Sequence, residues 1–177
     1  MIIEISSGCE LKSHFVRLKK EDLTTFGILT SNGWLPDWEE PFWNDCMVYG
    51  LFLEGFPNIV QGLVAFCIAE SSLEVFKVEA AIHNKRGNPH RLYKRVGKHM
   101  IAYGCKLSIM MKRNYPTRGF LSAYIKSNAR GFYEAIGAES IFYDWWMIDP
   151  WVGRKLINEC FFGGESNENE LVNERIE

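Results

Sequence analysis

Residues 75–112 read VFKVEAAIHNKRGNPHRLYKRVGKHMIAYGCKLSIMMK, and this stretch decides the fold because its periodicity changes once along its length. The segment Glu74–Ile82, which overlaps the start of this stretch, is rich in apolar and β-branched residues and predicts a strand. From Arg91 to about Lys112, apolar residues recur every three or four positions, which predicts a long amphipathic helix. A basic loop joins the two, so the order is strand, loop, helix.

The flanking segments predict further strands and shorter helices. Met47–Leu53 and Ile59–Ala69 predict two strands joined by a hairpin at residues 54–58, and with Glu74–Ile82 they form an antiparallel meander. A strand and helix over residues 15–23 precede them. After the long helix we expect a strand at Phe120–Ile125, a helix at Ser127–Ile136, a strand at Ser140–Ile148 and a helix from Pro150 to Asn158. This order predicts one mixed α/β domain over residues 1–162, followed by a disordered acidic segment at 163–177.

The charges are unevenly distributed. Between Ala80 and Tyr133 the chain has no Asp or Glu but twelve of its twenty Lys and Arg, although the net charge is only −2. Like charges in one third of a chain repel one another, so we expect a compensating partner, which is either the acidic remainder or a polyanion. A helix N-terminus near residue 93 offers unpaired N–H groups to phosphate oxygens, and Gly97 lets the backbone approach such an anion closely.

Cysteine content and apolar runs exclude several classes. The five cysteines are scattered and lack zinc-ligand spacing, so neither a metal site nor a disulfide framework is predicted, and Cys67 and Cys105 are interpreted as small core residues. Residues 1–8 lack the features of a signal peptide, and the apolar run Leu63–Ala69 is too short to cross a bilayer. We therefore expect a soluble, reduced, cytoplasmic protein with no membrane partner.

Two motifs resemble those of a known family. Tyr93-Lys94-Arg95-Val96-Gly97-Lys98-His99-Met100 resembles the acyl-CoA-binding loop of the GNAT superfamily of N-acetyltransferases, whose pattern is Gln/Arg-x-x-Gly-x-Gly/Ala. Asn128–Ala138, with its Phe-Tyr-Glu and terminal Gly, resembles the second signature of that family. The resemblance covers about residues 14–148. It implies a central, mostly antiparallel mixed sheet with helices on both faces and two strands that splay for the cofactor.

The sequence also departs from the family pattern. Arg95 stands where the first glycine of the loop is expected, and residues 85–91 lengthen the loop. Lys126 occupies the usual position of an asparagine before the last helix, and Asn128 is out of register.

The resemblance implies roles for particular residues. Acetyl-CoA is the expected acyl donor, no metal is expected, and the cofactor-binding residues would be Tyr93, Lys94, Arg95, Val96, Gly97, Lys98, Asn128 and Arg130. Tyr133 is the candidate general acid, because a phenol stays protonated at neutral pH. Glu79 is the leading candidate base, and Glu74 and His83 are alternatives. Each of these residues has a structural alternative: packing for Tyr133, a salt bridge for Glu79 and a hydrogen bond for His83.

The predicted function is transfer of an acetyl or short acyl group from acyl-CoA to a primary amine. The sequence does not decide whether the acceptor is a small molecule or a peptide amine, or whether the protein forms a homodimer. A cationic acceptor would suit the acidic residues that lie among the tryptophans, namely Asp37, Glu39, Glu40 and Asp45. Two alternatives remain. One is a nucleic-acid-binding module that uses the basic stretch, which the slightly negative net charge and missing motifs disfavour. The other is a CoA-binding protein without turnover.

Overall fold

The computed structural model describes residues 1–162, which form ten strands and five α-helices. The strands are β1 (Ile2–Glu4), β2 (Glu10–Leu11), β3 (Ser13–Arg17), β4 (Met47–Leu53), β5 (Gly62–Ile68), β6 (Leu73–Ala80), β7 (Tyr93–Lys94), β8 (Leu121–Tyr124), β9 (Glu139–Phe142) and β10 (Trp145–Ile148). The helices are α1 (Asp22–Thr25), α2 (Glu40–Trp43), α3 (Val96–Met111), α4 (Arg130–Ala135) and α5 (Pro150–Phe161). The predicted disordered segment, 163–177, lies outside the described residues.

Seven strands form the central sheet, in the order β3-β4-β5-β6-β8-β10-β9. Every neighbouring pair is antiparallel except β6 and β8, which are parallel. The predicted meander of three strands is therefore confirmed as β4-β5-β6. A smaller sheet, β2-β1-β7, ties residues 2–4 to the chain just before α3.

The parallel pair β6 and β8 separates soon after it forms. Its register ends at Val75 opposite Ala123, whereas β6 continues to Ala80. Beyond this point the two strands splay, and the predicted pair of diverging strands is confirmed. We call the point of divergence the fork.

Two apolar clusters cover the sheet. Helices α3, α4 and α5 pack on one face, in a cluster that includes Val64, Phe66 and Leu121. On the other face, the segments around α1 and α2 pack over β4 and β5 through Leu23, Trp38 and their neighbours. Helices on both faces of a mostly antiparallel sheet are what the sequence predicted.

Several element boundaries differ from prediction. The helix predicted from Arg91 begins at Val96, because Tyr93 and Lys94 instead pair with β1. The strand predicted over 140–148 is a hairpin, β9 and β10, with its turn at Tyr143 and Asp144. The helix predicted over 127–136 divides into a 3₁₀ turn at Ser127–Ala129 and the short α4.

The structure also corrects the interpretation of the cysteines. Cys46 and Cys67 form a disulfide with their Cα atoms 4.5 Å apart, so the expectation of a reduced chain without a disulfide is wrong for this pair, and Cys67 is not a free core thiol. Strands β4 and β5 are antiparallel, with Met47 opposite Phe66. Cys46, which precedes Met47, therefore lies opposite Cys67, which follows Phe66. This proximity depends on strand register and is invisible in the spacing of the cysteines. Cys105 is free and buried, as predicted.

Candidate functional site

The N-terminus of α3 presents a turn suited to an anion. Arg95 precedes the helix with φ of 69°, a left-handed conformation that glycine adopts at little cost. The backbone N–H groups of Val96, Gly97 and Lys98 begin the helix, and the first N–H groups of any helix have no partner within it. A Cβ added to Gly97 would meet the Phe132 ring at 3.6 Å, an ordinary contact, so packing does not explain this glycine.

A strand from the N-terminal residues holds the approach to this turn. Tyr93 and Lys94 pair with Glu4 and Ile3, and the Tyr93 N–H donates to Asn84 Oδ1 at 3.2 Å. Tyr93 is buried, and burial raises the pKa of its phenol, whereas Lys94 is exposed. Sequence reasoning missed this strand, for which the apolar pair Ile2-Ile3 was the available signal.

Acids from outside the basic stretch pair with part of it. Lys85 lies 2.7 Å from Glu79, Lys98 lies 2.5 Å from Glu159, Arg130 lies 2.7 Å from Asp144, and Arg95 lies 3.7 Å from Glu10. The acidic remainder therefore compensates part of the positive charge. Three predicted cofactor residues, Arg95, Lys98 and Arg130, are engaged in this way.

A cleft of about 490 Å³ opens at the fork. Val75, Lys77 and Val78 of β6 line one wall, Tyr124 and Ile125 line the other, and α4 contributes Tyr133. Asn128, a predicted cofactor residue, also lines this cleft, as does Glu40. The cleft therefore passes from the face of the sheet that bears α2 toward the face that bears α4.

Tyr133 is the predicted catalytic residue that the structure places in this cleft. Its side chain is buried, and burial raises the pKa of its phenol to about 12. No hydrogen-bond partner of its hydroxyl is seen within residues 1–162. Tyr133 follows Phe132, whose ring faces Gly97, so α4 joins the cleft to the first turn of α3.

Glu79 is buried and fully bonded. Its carboxylate accepts from the Leu35 N–H at 3.0 Å, from Trp38 Nε1 at 2.7 Å and from Lys85 Nζ at 2.7 Å. Lys85 Nζ also donates to the Gly33 carbonyl at 2.9 Å. These contacts hold residues 33–38 and the basic loop against β6. Glu79 does not line the cleft.

His83 also lies away from the cleft. Its Nε2 is 3.0 Å from Gln61 Oε1, and burial lowers the pKa of the imidazole below its usual value. The structure therefore brings Tyr133 and Asn128 together in the cleft but leaves Glu79 and His83 outside it. Glu74 is half-buried on β6, and burial raises the pKa of its carboxyl.

A second cleft of about 540 Å³ adjoins the first across Leu35, which lines both. Trp38 and Trp43 contribute its aromatic walls, and Glu21, Asp37 and Glu39 contribute carboxylates. Two of these acids, Asp37 and Glu39, stood out in the sequence among the tryptophans. Within residues 1–162, no group of His, Cys, Asp and Glu side chains is arranged to hold a metal ion, and no helix is long and apolar enough to span a bilayer.

Solved structures share this architecture. A tyrosine-to-phenylalanine mutant of the toxin AtaT, bound to the C-terminus of the antitoxin AtaR, has a TM-score of 0.57 and 11% identity, covering 80% of this chain and 96% of that chain. The same mutant complex with acetyl-CoA has a TM-score of 0.56 and 12% identity, with the same coverage. A GNAT-family acetyltransferase from Staphylococcus aureus Mu50 has a TM-score of 0.52 and 6% identity, covering 78% of this chain and 99% of that chain.

Identities this low show the fold alone. The chain has the GNAT fold, as the resemblance of its motifs predicted. No protein-family model and no curated protein matches the sequence.

Proposed function

We propose that this protein transfers an acetyl or other short acyl group from acyl-CoA to a primary amine, by direct attack of the amine. The observation that carries the proposal is the fork between β6 and β8, which opens into a cleft containing Tyr133 beside the first turn of α3. The fold shared with GNAT acetyltransferases supports it, including one neighbour solved with acetyl-CoA.

The first turn of α3 would hold the pyrophosphate. The N–H groups of Val96, Gly97 and Lys98 point toward the helix N-terminus, where they favour an anion. Gly97 leaves room for close approach, and Lys94 and Arg95 add positive charge. Arg95 adopts a left-handed backbone that glycine adopts at little cost, so an arginine at the position of the family's glycine is compatible with this turn.

When bound, acetyl-CoA supplies an acyl group activated as a thioester. Tyr133 is protonated at neutral pH, as any phenol is, and burial raises its pKa further, to about 12. Its hydroxyl is therefore able to donate to a developing thiolate. Backbone groups of β6 beyond the fork would polarise the acyl carbonyl. The attacking amine loses its proton to water in the cleft, and Tyr133 recovers its own from solvent.

We assign Glu79 to anchoring rather than to proton abstraction. Its carboxylate already accepts from Leu35, Trp38 and Lys85, and it stays outside the cleft. His83 likewise faces Gln61. Under this proposal, neither Glu79 nor His83 takes the proton directly.

Calorimetry with acetyl-CoA tests the proposal. We expect binding in the micromolar range, and we expect Gly97→Leu to weaken it by about tenfold or more, since a bulky side chain here is directed at Phe132 and crowds the first turn of α3. Gly131→Leu is the matched control, because a Cβ there meets nothing within 4 Å. Absence of acetyl-CoA binding by the folded wild-type protein would refute the proposal. If that protein instead shifts RNA or DNA in a salt-sensitive manner, the nucleic-acid-binding alternative is supported.

The role of Tyr133 is tested by Tyr133→Phe. We expect kcat to fall by about a hundredfold, as loss of a general acid produces, while the Kd for acetyl-CoA is unchanged. Tyr115→Phe, at an exposed tyrosine that does not line the cleft, is the control and should keep its activity. An unchanged kcat in Tyr133→Phe would show that the residue only packs. Binding without turnover in the wild type, across all amines tried, would support the non-catalytic alternative.

A further inference from the structure

Strands β8, β10 and β9 carry a row of aromatic side chains on one face of the sheet. Trp145 lies opposite Tyr124 on one side and Phe142 on the other, so the three side chains point to the same face. Trp146 and Ala123 point to the opposite face and are buried in the core under α4 and α5. We call Tyr124, Trp145 and Phe142 the aromatic row.

The aromatic row is exposed to solvent. Tyr124 is 62% exposed, Phe142 is 65% exposed and Trp145 is 38% exposed. The segments around α1 and α2 pack over β4 and β5, and within residues 1–162 nothing covers the row. Contiguous exposed aromatic surface is a feature of sites at which proteins bind other molecules.

The aromatic row begins at the cleft. Tyr124 lines the cleft that holds Tyr133, and its ring contacts Trp145 with centroids 5.8 Å apart. Three adjacent strands span about 10 Å at their usual spacing. A ligand that covers the row and also reaches Tyr133 is therefore longer than a simple amine, and an extended chain fits.

Acidic side chains lie beside the aromatic row and in the two clefts. Glu74 and Glu139 lie on the same face in the next row of the sheet, because Glu74 pairs with Ser122 and Glu139 with Met147. Glu40 lines the cleft, and the adjoining cleft adds Glu21, Asp37 and Glu39.

Fewer cations lie on this face. Lys77 donates to the carbonyl oxygens of Pro36 and Asp37, Lys20 pairs with Glu39, and Lys126 is exposed at the cleft. Aromatic faces and carboxylates together attract cations, Arg above all. A nucleic acid would bring phosphates toward these carboxylates and is therefore disfavoured on this face.

Building on the acyltransferase function proposed above, we propose that the amine acceptor is a cationic polypeptide segment that lies across the aromatic row. Its Arg and Lys side chains stack on Tyr124, Trp145 and Phe142 and pair with the surrounding carboxylates. Its reacting amine enters the cleft, where an N–C bond forms as the C–S bond of the thioester breaks. Tyr133 protonates the released thiolate, and the proton of the amine goes to solvent.

Acetylation kinetics test this assignment with defined probes. The acceptors are an Arg-Gly repeat peptide with a free α-amine, the matching Glu-Gly peptide, spermidine and an aminoacylated RNA. We expect the Arg-Gly peptide to have the highest kcat/KM. Phe142→Thr should raise the KM of the Arg-Gly peptide about threefold, which corresponds to the loss of one exposed cation–π contact. The kcat and the KM for acetyl-CoA should stay unchanged. Trp151→Ala, at a 71% exposed tryptophan on α5, is the matched control and should change nothing.

A charge variant gives an independent measurement. Glu139→Gln should also raise the KM of the Arg-Gly peptide, whereas Glu134→Gln, at an exposed position on α4, should not. Calorimetry with an N-blocked Arg-Gly peptide measures binding without turnover, and Phe142→Thr should weaken it.

The possible outcomes separate this inference from the general function. Loss of acetyl-CoA binding would refute the acyltransferase itself. The inference alone is overturned if acetyl-CoA binds but the blocked Arg-Gly peptide does not. It is also overturned if spermidine or the aminoacylated RNA is preferred, or if neither Phe142→Thr nor Glu139→Gln alters the peptide KM. Conversion of a dimer to a monomer by Phe142→Thr would assign the row to a second copy of the chain and would equally overturn it.

Discussion

At the scale of single residues, Arg95 adopts a backbone conformation that usually favours glycine. Its φ of 69° costs about 1–2 kcal/mol for an ordinary residue, which glycine does not pay. We therefore expect Arg95→Gly to raise the Tm, while the lost positive charge weakens acetyl-CoA binding. Thermal unfolding measures the first effect and calorimetry the second. Arg86→Gly is the control, because Arg86 lacks a positive φ and should gain no stability from glycine. Equal changes of Tm in both variants would show that the backbone of Arg95 is not strained.

A substitution of Glu79 distinguishes its proposed role as an anchor from its alternative role as the catalytic base. Glu79→Gln leaves Lys85 without its buried counter-charge, so we expect the free energy of unfolding to fall by about 1–3 kcal/mol. Glu74→Gln, on the same strand and without an ion pair among the described contacts, should change it by much less. Urea unfolding measures both. Unchanged stability together with a large loss of kcat in Glu79→Gln would instead identify Glu79 as the base.

At the scale of elements, the packing of α3 on the sheet depends on Gly104. A Cβ at this position would lie 2.5 Å from Phe66 Cε1, a ring that is fully buried. We expect Gly104→Ala to destabilise the fold by about 1–3 kcal/mol, the usual cost of overpacking. Gly131→Ala in α4, where a Cβ meets nothing within 4 Å, should instead be neutral or stabilising because alanine favours helices. Denaturant midpoints compare the two, and equal midpoints would mean that Phe66 moves freely.

The elements that sequence patterns predicted best are those with a long, regular period. Met47–Leu53 was predicted to the residue, and the body of α3 follows its apolar spacing. The β9–β10 hairpin was predicted as one strand because its turn lacks Gly, Asn and Pro, and Tyr143 instead adopts a φ of 48°. The start of α3 was misplaced because Leu92 fits the helical period but is exposed, in a segment fixed by pairing with β1.

At the scale of the whole molecule, the sequence motifs locate the candidate site only as far as local patterns reach. The motif around Gly97 and the Tyr133 signature lie at the α3 turn and in the cleft, as their order suggested. The environment of Glu79 was not predictable in detail, because its partners Leu35 and Trp38 lie more than forty positions away in the chain. The pairing of basic residues with Glu10 and Glu159 likewise depends on tertiary contacts.

The junction of α3 with α5 makes the stability of the whole molecule depend on pH. His99 is fully buried there, with Nδ1 3.1 Å from the Arg95 carbonyl and Nε2 3.1 Å from the Cys160 carbonyl. Burial lowers the pKa of its imidazole from 6.5 to about 4, although the two carbonyls favour the protonated ring, so at intermediate pH the unfolded chain binds a proton that the folded chain does not. Between pH 4 and pH 6.5 the free energy of unfolding therefore rises with pH, by about 3 kcal/mol in total. This contribution is lost as the pH falls from 6.5 toward 4. Urea unfolding from pH 7 to pH 4.5 should show this slope, and His99→Gln should flatten it, whereas His14→Gln, at an exposed position on β3, should keep it. An unaltered slope in His99→Gln would mean that the acid sensitivity arises from other groups.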